Sequence, residues 1–276
     1  MQVAISKDGV RSVAWKTEKN EGPFTCPGCP GEVILKKGKI KEHHYAHRPP
    51  YNCPYGAGET QIHYRCKREI YEALLAHPKC SDCDIEKQLS GVRPDVYAVI
   101  SSARVAIEVQ KTVINLNDIE RRSARYQMLG IHVLWLVAHD SPNLTWHAGE
   151  EEWTCRPKEW EKYLHSMYFG RVYYWTGGLS VRPYHFDKFQ TWVNESEWYD
   201  EDGEYRQEGG YYRDARALKR PIKCPSNSID IAQDFLPRKR QVFRSKNWSV
   251  PECNIWMDNL DPWWSKKYIT TGFSKS

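Results

Sequence analysis

Val92-Arg93-Pro94-Asp95-Val96-Tyr97-Ala98-Val99-Ile100, followed by Ser101-Ser102-Ala103 and then Arg104-Val105-Ala106-Ile107-Glu108-Val109-Gln110-Lys111, is the stretch on which the fold turns. Two runs rich in Val and Ile, joined by three small residues, predict an antiparallel hairpin. On the N-terminal side, Glu59 to His77 predicts a helix. Its buried stripe is Ile62, Cys66, Ile70, Ala73 and Leu74, and Pro78 stops it. Asp84 to Leu89 is a candidate first strand. On the C-terminal side, Leu116 to Leu129 predicts a second helix, capped by Asn115 or Asn117 and ended at Gly130. Ile131 to Ala138 is apolar without alternation, as in a strand buried on both faces.

The order is helix, three strands, helix, strand. It is the core order of the restriction-endonuclease-like, or PD-(D/E)xK, fold, an α/β core with a mixed sheet flanked by helices. In that fold the acids sit on the central hairpin, where this chain carries Asp95 and Glu108. Phosphodiester hydrolysis needs a metal held by carboxylates, an activated water and charge stabilisation at the phosphate. Asp95 and Glu108 are the expected ligands of Mg²⁺ or Mn²⁺. Side chains alternate along a strand, so Glu108 and Gln110 share one face and Val109 and Lys111 the other. Gln110 therefore takes the slot usually filled by Lys, and the positive charge must come from elsewhere.

Glu59, His63 and Lys67 are four residues apart and stack on one helix face. Glu59 is expected to complete the metal site and Lys67, off the apolar stripe, to supply the charge. His63, Arg122, Tyr126 and Lys111 are candidate substrate contacts.

Upstream, Cys26-Pro27-Gly28-Cys29 precedes a Lys-rich segment and His43, His44 and His47. A Cys pair on a tight turn plus two later ligands makes tetrahedral Zn²⁺. Cys26, Cys29, His44 and His47 form the expected set, with His43 and Cys53 as alternatives. Cys80-Ser81-Asp82-Cys83 has no further ligands nearby in sequence and reads as free thiols.

The spaced string of His44-Tyr45-Ala46-His47, Glu59 with His63 and Lys67, Arg93-Pro94-Asp95, Ile107-Glu108-Val109-Gln110, and Arg122 with Tyr126 resembles the CoiA-like competence protein family. The resemblance runs over roughly residues 20 to 170 and implies a nuclease domain processing DNA in uptake, recombination or defence. The alternative is a catalytically weak or inactive DNA-binding module on the same fold, kept open by Gln110.

Three regions follow: residues 1–55 as a zinc-binding module, 56–140 as the nuclease core, and 141–276 as an aromatic-rich extension. The chain has 276 residues and a net charge of +5, weakly favouring a polyanionic partner such as DNA, possibly single-stranded. The longest apolar run is too short to span a bilayer and no leader-like segment is visible, which predicts a cytoplasmic protein. Most of the 12 Trp and 17 Tyr follow His139. Among them, Trp160, Leu164 and Met167 recur at helical spacing. Trp198 to Arg216 reads as an exposed loop or linker, and Pro237-Arg238-Lys239-Arg240, with Arg244 and Lys246, as a basic run.

Overall fold

A computed structural model describes residues 1–48, 53, 55, 59–147, 152–226, 228–245 and 249–265, so Lys246 of the basic run lies outside the described residues. The N-terminal strands are β1 (Val3–Ser6), β2 (Arg11–Val13), β3 (Phe24–Thr25), β4 (Glu32–Lys36) and β5 (His44–His47). They form an antiparallel sheet in the order β2-β1-β3-β4-β5. In β4 the alternation Glu-Val-Ile-Leu-Lys turns Val33 and Leu35 inward. There they meet Ala4, Phe24 and Tyr45 in a small core.

The central unit is α1 (Gln61–Leu75), β6 (Cys80–Ile85), β7 (Val96–Ile100), β8 (Ala103–Gln110), α2 (Leu116–Met128) and β9 (His132–Val137). Thr60 caps α1 by accepting from the His63 N–H, and Asn115 caps α2 by accepting from the Asn117 N–H. The hairpin closes tightly. Ile100 pairs with Ala103, and Ser101 and Ser102 between them have φ of 47° and 72°. Two left-handed residues in a two-residue loop match the twist of the flanking strands.

The first strand of the core starts and ends earlier than expected. It stops at Ile85 because Glu86 has φ 50°, which turns the chain out of the ladder. Cys80 and Cys83 consequently lie on β6, and the β7 ladder begins at Val96.

β8 and β9 run parallel, as a crossover through α2 requires. β9 lies well inside the sheet, with Val133 to Val137 buried.

The remaining elements are β10 (Leu144–His147), β11 (Glu152–Cys155), α3 (Glu159–Met167), β12 (Val172–Gly177), β13 (Ser180–Val193), β14 (Ser196–Tyr199), β15 (Tyr205–Glu208), β16 (Tyr211–Lys223), β17 (Ile229–Asp230), β18 (Phe235–Arg240), β19 (Phe243–Arg244), β20 (Ser249–Val250) and β21 (Cys253–Asp258). Several of them continue the core sheet. The ten-stranded sheet reads β16-β13-β12-β9-β8-β7-β6, with β21 also on β9, β18 on β21 and β17 on β13. The division expected at residue 140 therefore falls between strands of one sheet, and one buried cluster runs from Val3 to Met257.

Trp160, Leu164 and Met167 do share a buried face, on α3. The expected loop from Trp198 to Arg216 is instead strand: β14 pairs with β15, and β16 pairs with β13. No described helix is long and apolar enough to cross a membrane.

Candidate functional site

The start of α1 and the open end of the β7–β8 hairpin meet at a group of buried charges. Glu59, His63 and Asp95 each place one donor atom within 4.8 Å of the others. His63 Nε2 lies 3.2 Å from Asp95 Oδ2, which also accepts the Val109 N–H at 2.9 Å. Glu59 lies one residue before the Thr60 cap of α1.

Burial opposes the charge on Asp95, yet His63 and Lys67 outweigh it and hold the carboxyl well below the usual carboxylate range. Burial likewise opposes ionisation of Glu59, and Lys67 leads the groups that keep its carboxyl low. Both are anionic at neutral pH. Glu59 Oε2 and His63 Nε2 are buried without a well-directed hydrogen bond, although each has an ionic neighbour. Two carboxylates and one imidazole with such atoms fit a divalent cation.

Lys67 is placed differently from its expected role. Its side chain is fully buried and its ammonium pairs with Glu59, with Glu86 at 2.6 Å and with Asp95 at 3.7 Å. Burial disfavours the charge, but Glu59, Glu86 and Asp95 together hold the ammonium protonated well above the usual lysine range. A group enclosed by three carboxylates does not reach a phosphate.

Glu108 is also fully buried and does not join the cluster of Glu59, His63 and Asp95. It accepts from Arg122 and from the Tyr126 hydroxyl, both on α2. Burial pushes its carboxyl up to about 7 against the pull of Arg122. Tyr126 is itself buried and turned onto Glu108, so it cannot make the expected substrate contact in this arrangement. Arg122 keeps 24% of its side chain exposed and donates to the Arg93 carbonyl at 2.9 Å. Gln110 donates to the Thr112 carbonyl at 2.7 Å, and Lys111 lies beside Val137 and His139.

The second cluster is in the N-terminal module. Cys26, Cys29, His47 and Cys53 bring their donor atoms within 4.8 Å of one another. Bonds of about 2.0–2.3 Å in a tetrahedron put ligand atoms roughly 3.5–4 Å apart, so this Cys₃His set can bind zinc. His44 is not in it. Its ring stacks on Tyr64 and its Nδ1 contacts the Glu42 carbonyl at 2.8 Å. The reason is alternation: His44 and His47 are three apart on a strand and so point to opposite faces. Cys53, the alternative ligand, takes the fourth place.

Two family models match the chain: the N-terminal domain of competence protein CoiA over residues 8–56, and its nuclease-like domain over residues 59–168. The chain belongs to the CoiA-like competence proteins. A competence protein CoiA from Bacillus subtilis is 28% identical over 117 residues, 42% of this chain and 31% of that protein. The match thus spans about a third of that relative's length. No solved structure gave a significant match.

Within this CoiA-like chain, sequence reasoning passed over Glu86. It is buried in a left-handed conformation and accepts from Lys67, from the Gln2 N–H at 2.9 Å and from Arg93 at 3.4 Å. Nothing in its neighbours marks it, because it lies where two elements from distant parts of the chain close over α1. Gln2 donates further to the Tyr64 carbonyl at 3.0 Å, and Arg11 pairs with Asp84 at 2.7 Å. The N-terminal module is thereby fixed against the start of α1.

Proposed function

We propose that this chain is a metal-dependent nuclease that hydrolyses DNA phosphodiester bonds, with its metal held by Glu59, His63 and Asp95. The observation that supports this reading is the convergence of those three donors, on a nuclease-like CoiA domain, at the open end of the hairpin. A divalent ion there would polarise the scissile phosphate and lower the pKa of a bound water. The donor set contains an imidazole, which suits Mn²⁺ at least as well as Mg²⁺. Lys67 keeps the carboxylates anionic and close together without metal. Arg122, part exposed at the hairpin mouth, is the cation left to face a phosphate. Gln110, Lys111 and Glu108 act at most through the shape and charge of the surround.

The Arg122 and Tyr126 contacts that occupy Glu108 favour a second reading, a DNA-binding module with weak or no catalysis. One experiment separates them. Purified protein is incubated with labelled single- and double-stranded DNA in Mg²⁺, in Mn²⁺ and in EDTA, beside Asp95→Ala and His63→Ala. Cleavage that needs metal and falls at least a hundredfold in both variants supports the nuclease. Retained DNA binding with no cleavage under any metal would establish the second reading.

A further inference from the structure

The outer face of the β4–β5 hairpin borders a groove of about 970 Å³ on the zinc module, away from the metal cluster. Register and alternation decide which side chains point outward along it. Lys36 lies opposite His44 and Ile34 opposite Ala46, all directed away from the small core of Val33, Leu35 and Tyr45. The connecting loop adds Lys39, Ile40 and Lys41, and Arg48 stands at the far end. Ile40 is 98% exposed. Among the described residues, Lys36, Lys39, Lys41 and Arg48 have no carboxylate partner, and Glu32 is the one acid on the groove wall. The groove is therefore basic at its rim, with Pro23, Phe24, Val33, Ile34 and Leu35 as its apolar lining and Ile40 projecting from the loop.

The groove stops short of the candidate metal site. His44 stacks on Tyr64 with ring centroids 5.1 Å apart and planes 15° from parallel. The Tyr64 ring lies 5.5 Å from the Lys67 ammonium, which holds Glu59. Two stacked rings thus separate the basic rim from the carboxylates. The module cannot swing freely, since Gln2, Arg11 and Glu42 tie it to Glu86, Asp84 and Arg68.

We infer that this groove binds a single strand of nucleic acid, an assignment that deepens the nuclease reading without needing cleavage to be tested. Lys36, Lys39, Lys41 and Arg48 take successive phosphates, while unpaired bases lie on the apolar lining and against the exposed Ile40. A duplex keeps its bases stacked inside and can offer this lining nothing but phosphates, so the lining selects for the single strand.

The test uses the full chain with zinc and no other divalent metal, so that nothing is cut. Binding of a fluorescent oligothymidylate and of a duplex of equal length is followed by anisotropy across a salt series. Lys36→Glu/Lys39→Glu/Lys41→Glu should weaken single-strand binding at least tenfold and reduce the slope of log affinity against log salt by about 2, for three lost phosphate contacts. The milder Lys36→Gln/Lys39→Gln/Lys41→Gln should fall between it and wild type, and both should keep the zinc content of the wild type. Arg238→Glu/Lys239→Glu, in the basic run on β18, should bind as wild type. Normal binding by both triple variants, or loss of binding in the β18 variant instead, would overturn the assignment. A duplex bound as tightly as the single strand would overturn the role given to the lining. Because binding is read without cleavage, failure of the nuclease reading would appear separately, as intact binding and no hydrolysis when Mg²⁺ or Mn²⁺ is restored.

Discussion

Lys67 carries the largest consequence of any single side chain. Its side chain is fully buried, and its ammonium faces Glu59, Glu86 and Asp95 from the buried side of α1. Removing one partner of a buried ionic group leaves the others uncompensated, at a cost of about 3–5 kcal/mol. Lys67→Ala is therefore expected to lower the urea midpoint of unfolding markedly, whatever it does to turnover. An unchanged midpoint would mean that water reaches the cluster. Glu108 makes a second residue-scale prediction. Burial raises its carboxyl from an ordinary 4.5 to about 7 in the folded chain. The native state then holds this proton more tightly than the unfolded state does. The contribution to stability is fully present below about pH 4.5 and is lost as pH rises through about 7, by on the order of 3 kcal/mol. Glu108→Gln cannot titrate there. Subtracting its urea stability from that of wild type across pH 4 to 8 should isolate the decline, and a flat difference would show that Arg122 keeps Glu108 ionised throughout.

Strand alternation decides which histidine can serve the candidate zinc site. His47 is expected to be essential and His44 dispensable: His47→Ala should release the metal from the purified protein, and His44→Ala should retain one zinc per chain by elemental analysis. Loss of zinc from both variants, with the module still folded, would contradict the strand assignment of residues 44–47. Here the sequence was legible in part. CxxC and the trailing histidines name the chemistry, but a spacing of three puts both histidines on one side of a helical turn and on opposite faces of a strand, and only the pairing of β5 with β4 separates the two. Elements with strong local signals were readable: the Ile/Cys/Ile/Leu stripe of α1, the Val/Ile runs of β7 and β8, and the unalternating β9. Glu86 and the enclosure of Lys67 were not, because both depend on contacts between β1, α1 and the end of β6. The stretch from Trp198 to Arg216 misled for another reason. Its acids and glycines are those of a solvated segment, yet the long pairing of β13 with β16 holds part of it as strand.

At the scale of the molecule, the region recognised as nuclease-like does not close its own sheet. The matched residues end at 168, but β9 pairs with β12 along one half of its free edge and with β21 along the other. Val172, Tyr173, Phe235 and Trp256 are buried in the same cluster as Trp135 and Tyr168. Tyr168 accepts the Trp135 N–H at 2.9 Å and donates to the Val133 carbonyl at 3.0 Å, which fixes the end of α3 on β9. Asp258 is buried against Arg171 at 3.1 Å and so ties β21 to the start of β12. Cutting the chain after residue 168 would remove β12 and β21 from β9, leaving β8 as its one partner, and expose an apolar edge strand, the geometry that templates aggregation. Residues 1–168 alone are therefore expected to be insoluble or to bind a hydrophobic dye without a cooperative melting transition, while the full chain melts cooperatively. A soluble, monomeric 1–168 fragment with a sharp thermal transition would show that the aromatic-rich strands are an addition to a complete core. Failure of the fragment, with zinc still bound by the N-terminal module, would locate the defect at the edge of β9: the nuclease-like unit then extends to at least Asp258, the last residue of β21.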